Sequence, residues 1–516
     1  MKKILFIAGL FLAAIKLQAQ TSFPKSAKED IGNDMSEAYW KLWNPQVQNK
    51  IDKDIEANRK ADATIKLDEV KRGTQVKVEQ ISHDFIFGAH TFNFDQLGSK
   101  ELNQKYRDVF GSLFNRGTVA FYWKTFEMQP GRKRYSGEYW DSEEYWDKQT
   151  DPKNQPHWRR PATDPVVDFL ISKGVKVHGH PLIWGSRRWM NPTWIISDIL
   201  TSEEKKEMDK YISQYPDPND ILSEEKYTDA YKDLTVAELN TKFPTYGKKL
   251  NELFEKRIRD IIKYYGSRVD SWDVVNESAC DFAYGHMNTN DKLIKSDYGI
   301  MPGDYTYKAF KIADEVIPDG VWKNINDYWT GPEYAKQIKD LINRGIKIDI
   351  AGSQMHLFNP QQCIDIAAGK DIQTPTHVWN LMNDIASSGL PICLSEITIT
   401  SPTKDHHGQM IQAIIAQNLY RIWFSIKEMQ AITWWNIVDD CGAPGEPSVS
   451  GLFSRDMKRK LSYYALDNLI NHEWKTNLTL KADKNGNIKF RGFKGNYRIT
   501  YINKNGDLKE INYYVK

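Results

Sequence analysis

Glu277 closes the segment Ser271-Trp272-Asp273-Val274-Val275-Asn276-Glu277, and Glu396 closes Pro391-Ile392-Cys393-Leu394-Ser395-Glu396. Each run is rich in Val, Trp, Ile or Leu and reads as a short buried strand. Parallel α/β folds put their chemistry at the carboxyl ends of such strands. Two carboxyl groups on separate strand ends are what hydrolysis of a glycosidic bond requires. One gives a proton to the leaving oxygen. The other, ionised, attacks the anomeric carbon or activates water. Either glutamate alone reads equally well as an ordinary strand-end residue; the matching pair carries the argument.

The elements that must position this pair alternate along the chain. Candidate strands are Phe85–Ala89, Leu113–Phe121, Val175–His180, Val269–Asn276, Val321–Asn326, Ile346–Gln354, Ile392–Glu396 and Ala431–Asn436. Helical patterns lie between most of them, among them Asn251–Tyr265, Tyr305–Val316, Tyr334–Arg344 and His377–Ser387. Eight strands alternating with helices predict a (β/α)8 TIM barrel over residues 83–472. Two insertions stand out, 187–250 after the third strand and 279–303 after the fourth, both on the loop side of the site. The ends differ from the middle. Residues 20–82 contain two strands around Lys71-Arg72-Gly73. Residues 473–516 read as strands Leu478–Ala482, Ile488–Phe490, Tyr497–Asn503 and Leu508–Val515, with hairpin turns at Asn485-Gly486 and Asn505-Gly506. The two ends are expected to form a small β module packed on the barrel.

Residues 1–19 read as a signal peptide: Lys2 and Lys3, an apolar run from Ile4 to Ile15 too short to span a bilayer, and cleavage after Ala19. The expectation is a secreted or periplasmic protein with no membrane span. Cleavage removes Lys2, Lys3 and Lys16 and no acid, taking the formal charge from +2 to −1. A nearly neutral chain has no electrostatic footprint for nucleic acid and suits an uncharged partner. Cys280, Cys363, Cys393 and Cys441 have no CxxC spacing. That argues against a zinc site. Export permits disulfides, and Cys280 with Cys441 is the pair whose positions after candidate strands invite inspection; four free, buried thiols is the simpler reading. The 17 tryptophans and 26 tyrosines serve mostly as core filling, and a minority suit stacking on sugar faces.

Most of residues 83–472 resembles glycoside hydrolase family 10, whose best-known members are endo-β-1,4-xylanases. Trp272-Asp273-Val274-Val275-Asn276-Glu277 is similar to the family's acid/base strand and Leu394-Ser395-Glu396 to its nucleophile strand. Gly179-His180-Pro181-Leu182-Ile183-Trp184 resembles the third-strand motif, Asn326-Asp327-Tyr328 the fifth, and Gly352-Ser353-Gln354-Met355-His356-Leu357 the sixth. Ile432-Thr433-Trp434-Trp435-Asn436-Ile437-Val438-Asp439 resembles the eighth. The resemblance implies retention, with Glu277 as acid/base, Glu396 as nucleophile, xylan or a related β-linked polysaccharide as partner, and no cofactor or metal. It implies that Asn276 binds the 2-hydroxyl, His356 orients the nucleophile, His180 and Trp184 line the subsite of the attacked sugar, and Trp435 forms its apolar floor. Gln354, two residues before His356 on one strand face, points into the same site. Tyr328 joins the substrate-binding residues through its motif. A monomer is expected.

The chain also departs from the family pattern. The second strand usually carries a Glu-Asn and then a Lys-Trp; here it reads Thr118-Val119-Ala120-Phe121-Tyr122-Trp123-Lys124, with Lys124 out of register. Tyr122 and Trp123 would then replace polar grips with stacking. The His after the third-strand Trp is Gly185, the Asp two residues after the nucleophile is Thr398, and the second stacking Trp has no counterpart near Cys441-Gly442-Ala443. Two rival readings exist. A metal-dependent hydrolase would use His178 and His180 on one strand face with His356 and Asp439. A non-catalytic carbohydrate-binding protein would account for the changed second strand, but binding alone does not need both glutamates.

Overall fold

A computed structural model describes residues 23–138, 142–146, 148, 161–186, 190–192, 194–212, 234–287, 292–443 and 445–516. The signal-peptide segment 1–19 and much of the 187–250 insertion lie outside the described residues.

The described chain opens with two helices, Glu37–Leu42 and Pro45–Arg59, the second started by Asn44 accepting from Val47 N at 3.0 Å and by Pro45 in the first turn. Strands β1 (Lys60–Lys66) and β2 (Gln75–His83) follow. Then come β3 (Ile86–His90), β4 (Arg116–Ala120), β5 (Lys176–His180), β6 (Ile183–Trp184), β7 (Ser271–Asn276), the hairpin β8 (Leu293–Ser296) and β9 (Gly299–Pro302), β10 (Trp322–Asp327), β11 (Ile350–Leu357), β12 (Ile392–Ile399) and β13 (Met429–Trp434). The tail supplies β14 (Asn477–Lys481), β15 (Asn487–Phe493), β16 (Gly495–Ile502) and β17 (Leu508–Val515).

Strands β3, β4, β5, β7, β10, β11, β12 and β13 pair in that order, all parallel, and β13 pairs with β3 to close an eight-stranded barrel. All eight expected strands form, with shifted ends. One shift matters for function: β12 continues to Ile399, so Glu396 lies within a strand. Both ladders of β12 break there. Leu394 pairs with Ser353 and Glu396 with Gln354, which leaves Ser395 as an extra residue. Such bulges re-aim side chains beside active sites.

Helix Tyr246–Tyr265 shows how the outer layer holds the site. Leu250, Phe254, Ile258, Ile261, Ile262 and Tyr265 form one buried face, the helical spacing of an amphipathic packing surface. Arg257 lies buried among them. Its guanidinium donates to Leu182 O at 2.8 Å, to Pro181 O at 3.2 Å and to Phe121 O, tying together the chain segments that leave β4 and β5. Helix His406–Ser425 is buried on nearly every side because the N-terminal helices cover its outer face. There Asn418 donates to Tyr39 Oη at 2.8 Å, and Arg421 binds Gln48 and Asp52. These N-terminal helices were not among the expected elements.

The β module has two sheets, β1–β15 and β14–β2–β16–β17, around their own apolar cluster of Ala63, Ile65, Val76, Val78, Ile488, Phe490, Tyr497 and Ile499. Asn505-Gly506 does join the hairpin β16–β17. Asn485-Gly486 does not join a hairpin: β14 pairs with β2 and β15 with β1, so this turn crosses between sheets. All four cysteines are free and buried, and Cys280 and Cys441 are not bonded. Among the described residues no helix is long and apolar enough to cross a membrane.

Candidate active site

Glu277 leaves β7 with φ of 55°, a left-handed conformation that costs a non-glycine residue about 1–2 kcal/mol. The turn is held by its neighbour β10. Glu277 N donates to Asn326 O at 2.7 Å. The fully buried Asp327 carboxylate accepts from Ser278 N and Ala279 N at 2.7 Å each and from Trp329 N at 2.8 Å. Burial raises Asp327 to about 7 in spite of these donors.

The two candidate carboxyls are joined by a chain of amides. Gln354 Nε2 donates to Glu277 Oε1 at 3.0 Å and to Asn276 Oδ1 at 3.3 Å. Asn326 Nδ2 donates to the same Asn276 oxygen at 2.8 Å and to Glu396 Oε1 at 2.9 Å. Ser395, the bulge residue, donates to Asn326 Oδ1. The crowding explains Gly352 on β11: a Cβ there would stand 2.6 Å from Asn326 Oδ1 and 3.1 Å from Ile325 O. Both bonds to Asn276 use its Oδ1, so its Nδ2 is the group that can donate to a ligand.

Two histidines flank Glu396. His180 Nε2 lies 3.7 Å from Oε1, and His356 Nε2 lies 3.5 Å from Oε2. His180 Nδ1 meets Asp273 Oδ2 at 2.7 Å, and His178 Nε2 meets that oxygen at 2.9 Å. Burial works against ionisation of Asp273, yet the two imidazoles hold it well below the usual carboxylate range. Burial likewise pulls His180 down, but the Asp273 hydrogen bond and the charges of Glu396, Asp273 and Glu277 outweigh it and raise the ring. Burial lowers His178, against the pull of Asp273. His356 is pulled to about 4 by burial, and its Nδ1 rests 2.9 Å from Thr398 Oγ1. Thr398 thus stands beside His356 where the family pattern has an acid. Burial pushes Glu396 up to about 8; His180 and the Asn326 hydrogen bond oppose this, and the charges of Glu277 and Asp273 add to it.

Aromatic rings wall the cleft. Trp435 is buried against His90, Phe92 and His180 at centroid distances of 5.2, 5.1 and 5.6 Å, all edge to face. Tyr122 meets His180 at 5.5 Å and Trp184 at 6.0 Å. Trp184 donates from Nε1 to Glu277 Oε2 at 3.0 Å. Tyr328 is 50% exposed at the rim.

The structure therefore brings together His180, Trp184, Asn276, Glu277, Gln354, His356, Glu396 and Trp435, with Tyr328 at the edge. Trp123 does not join them. It is 1% exposed in the main apolar core, with Trp194 and Phe254 against its ring and its Nε1 donating to Glu127 at 2.8 Å. Of the two adjacent aromatics, only Tyr122 packs against the site residues His180 and Trp184. Asn326, Asp273, Asp327 and Tyr298, whose hydroxyl donates to Glu277 Oε2, are further parts of the site. The first three sit inside quoted motifs; Tyr298 had no motif to mark it. The metal arrangement does not fit these contacts. Both His178 nitrogens are engaged, with Ser271 Oγ at 2.8 Å and with Asp273, and Asp439 is bound to Lys460 at 2.9 Å.

An eight-stranded parallel barrel with facing carboxyls at the carboxyl ends of its strands has the make-up of a barrel glycoside hydrolase. The model of Glycosyl hydrolase family 10 matches residues 91–218 and 235–469, and the chain belongs to that family. It is similar to endo-1,4-beta-xylanase C of Paenibacillus barcinonensis, 24% identical over 59% of this chain and 26% of that protein. It is also similar to endo-1,4-beta-xylanase B of Thermotoga neapolitana, 24% identical over 78% of this chain and 92% of that protein. The chain spans about a fifth to a third of the length of the first curated relatives it matches. Native xylanase 10B from Thermotoga maritima shares the fold, with a TM-score of 0.50 and 19% identity over 76% of this chain and 96% of that one.

Proposed function

We propose that the protein is a retaining glycoside hydrolase that cleaves β-1,4-xylosidic bonds in xylan-type plant polysaccharides by double displacement. The observation that carries this reading is the hydrogen-bonded circuit Glu277–Gln354–Asn276–Asn326–Glu396, which fixes both carboxyls around one open donor, Asn276 Nδ2. Glu277 protonates the leaving oxygen while Glu396, in its ionised form, attacks the anomeric carbon; that form grows as pH rises toward about 8. Glycosylation removes the charge of Glu396, and Glu277 then takes a proton from water to complete hydrolysis. Asn276 Nδ2 holds the 2-hydroxyl, a contact that strengthens in the transition state. His180 and His356 orient Glu396, and the His180 charge favours its ionised form. Trp435, Trp184 and Tyr122 supply apolar faces to the sugar, and Tyr328 meets the leaving side. The names of the relatives support xylan. The aromatic second-strand grip supports a recognition of the non-reducing side that differs from theirs. Export to the periplasm or medium, cleavage after Ala19 and a monomeric state belong to the same reading.

Turnover and its mutational pattern test it. Glu396→Ala is expected to abolish release of reducing ends from xylan. Glu277→Ala is expected to cost most with poor leaving groups, because a good leaving group needs little protonation. A protein that binds xylo-oligosaccharides without turning them over, and whose Glu396→Ala variant binds equally well, would instead be a non-catalytic carbohydrate-binding protein. Activity abolished by a strong chelator would favour metal chemistry and contradict the proposal.

A further inference from the structure

We propose that Tyr298 is a positioning residue for the acid/base carboxyl: seated in the space that Gly185 leaves open, it helps to saturate Oε2 of Glu277 and so fixes the deliverable proton on Oε1. The inference rests on the acid/base reading of Glu277 and adds a residue from outside the quoted motifs.

Tyr298 lies at the turn of the β8–β9 hairpin, within the insertion that follows the acid/base strand. The turn is anchored. The fully buried Asp281 carboxylate accepts from Ser296 Oγ at 2.6 Å, from Asp297 N at 2.9 Å and from Tyr305 Oη at 3.0 Å. Tyr298 N donates to Ser296 Oγ at 3.2 Å, and Leu293 N donates to Asn240 Oδ1 at 2.8 Å. From this base the Tyr298 hydroxyl donates to Glu277 Oε2. Trp184 Nε1 donates to the same oxygen at 3.0 Å, and the Tyr298 and Trp184 rings meet edge to face at 6.2 Å.

A carboxylate oxygen offers two lone-pair positions. On Oε2 both are taken by donors. On Oε1, among the described residues, one is taken, by Gln354 Nε2 at 3.0 Å, and one is open. A proton bound for the leaving oxygen therefore belongs on Oε1. Gly185 makes the arrangement possible. A Cβ at that position would stand 3.0 Å from Tyr298 Cδ2, 3.1 Å from its Cβ and 3.3 Å from its Cγ. The ring is stiff and its hairpin is tied down, so a side chain at 185 asks the ring to shift by a few tenths of an ångström and loosens the hold of its hydroxyl on Oε2. The chain thus has a tyrosine from a distant loop beside a position where the family pattern carries a histidine.

Tyr298→Phe keeps the ring and removes only the donor. Because Glu396, His180, His356, Asp327 and Tyr328 also face Glu277, the readout is dependence on the leaving group rather than on pH. For aryl xylosides with poor leaving groups kcat/KM is expected to fall roughly tenfold or more, the worth of a hydrogen bond to a charged group. For dinitrophenyl-type leaving groups the change stays within about threefold, since little protonation is needed there. Gly185→Ala is expected to show the same selective loss, and the double variant to be no worse than the worse single one, since both remove one contact. Equal losses on both substrate kinds, no loss, or additive losses would overturn the proposal. Glu277→Ala run alongside separates the two levels. If it is selective for poor leaving groups and Tyr298→Phe is not, only the role of Tyr298 falls. If Glu277→Ala itself is unselective, the acid/base reading falls with it.

Discussion

Glu396→Gln should stabilise the protein, and by an amount that depends on pH. Glu396 is 6% exposed and is pushed from its ordinary 4.5 to about 8, first by burial and then by the charges of Glu277 and Asp273. In the unfolded chain the same carboxyl ionises near its ordinary value. Between these two values the folded protein binds the proton and the unfolded chain releases it, so stability falls as pH rises through that window. At about 1.36 kcal/mol per pKa unit the full cost at pH 8 and above is about 4–5 kcal/mol. Glutamine keeps the shape and keeps an oxygen for Asn326 Nδ2, but it has no charge to bury. Urea unfolding of both proteins at pH 5, 6, 7 and 8 reads the difference directly. The variant should gain stability steadily from pH 5 to pH 8 and then level off. A constant difference across that range would refute the account of Glu396 as a carboxyl held at a cost in stability.

Trp123→Ala should cost about 3–5 kcal/mol of stability, as core truncations do, while KM of the remaining folded enzyme changes little; a large KM change at unaltered stability would return Trp123 to the cleft. Thr398→Asp should place a carboxylate beside His356 Nδ1, where the threonine hydroxyl now rests at 2.9 Å, and raise that ring from about 4 by about 1–3. NMR titration of the His356 ring checks this, and an unmoved titration would contradict the assigned contact.

The barrel and most of the site were legible because they lie in strands. Runs such as Ser271–Asn276 and Ile392–Ile399 are buried along their length and rich in Val, Trp, Ile and Leu, and their motifs carry fixed spacing. What escaped depended on contacts between distant segments. Tyr122 and Trp123 are adjacent aromatics at the start of a short helix, and residue type alone does not say which one faces the cleft. Tyr298 reaches Glu277 from 21 residues away through a hairpin in an insertion. The exit of β14 at Asn485-Gly486 carries a hairpin signal, but β2 and β1 compete for the two flanking strands and win both. The bulge at Ser395 has no local signal either; it appears only where β12 must match β11 on one side and β13 on the other.

The central claim is that Glu396 becomes covalently bonded to sugar. Incubation with an activated 2-deoxy-2-fluoro xyloside or xylobioside, whose fluorine slows hydrolysis of the intermediate, followed by proteolysis and mass spectrometry, tests it most directly. The account predicts one fluoroglycosyl group per chain, on the peptide carrying Glu396, with activity lost in step with labelling. Turnover without any adduct and with an inverted anomeric product, or an adduct on Glu277, would contradict it.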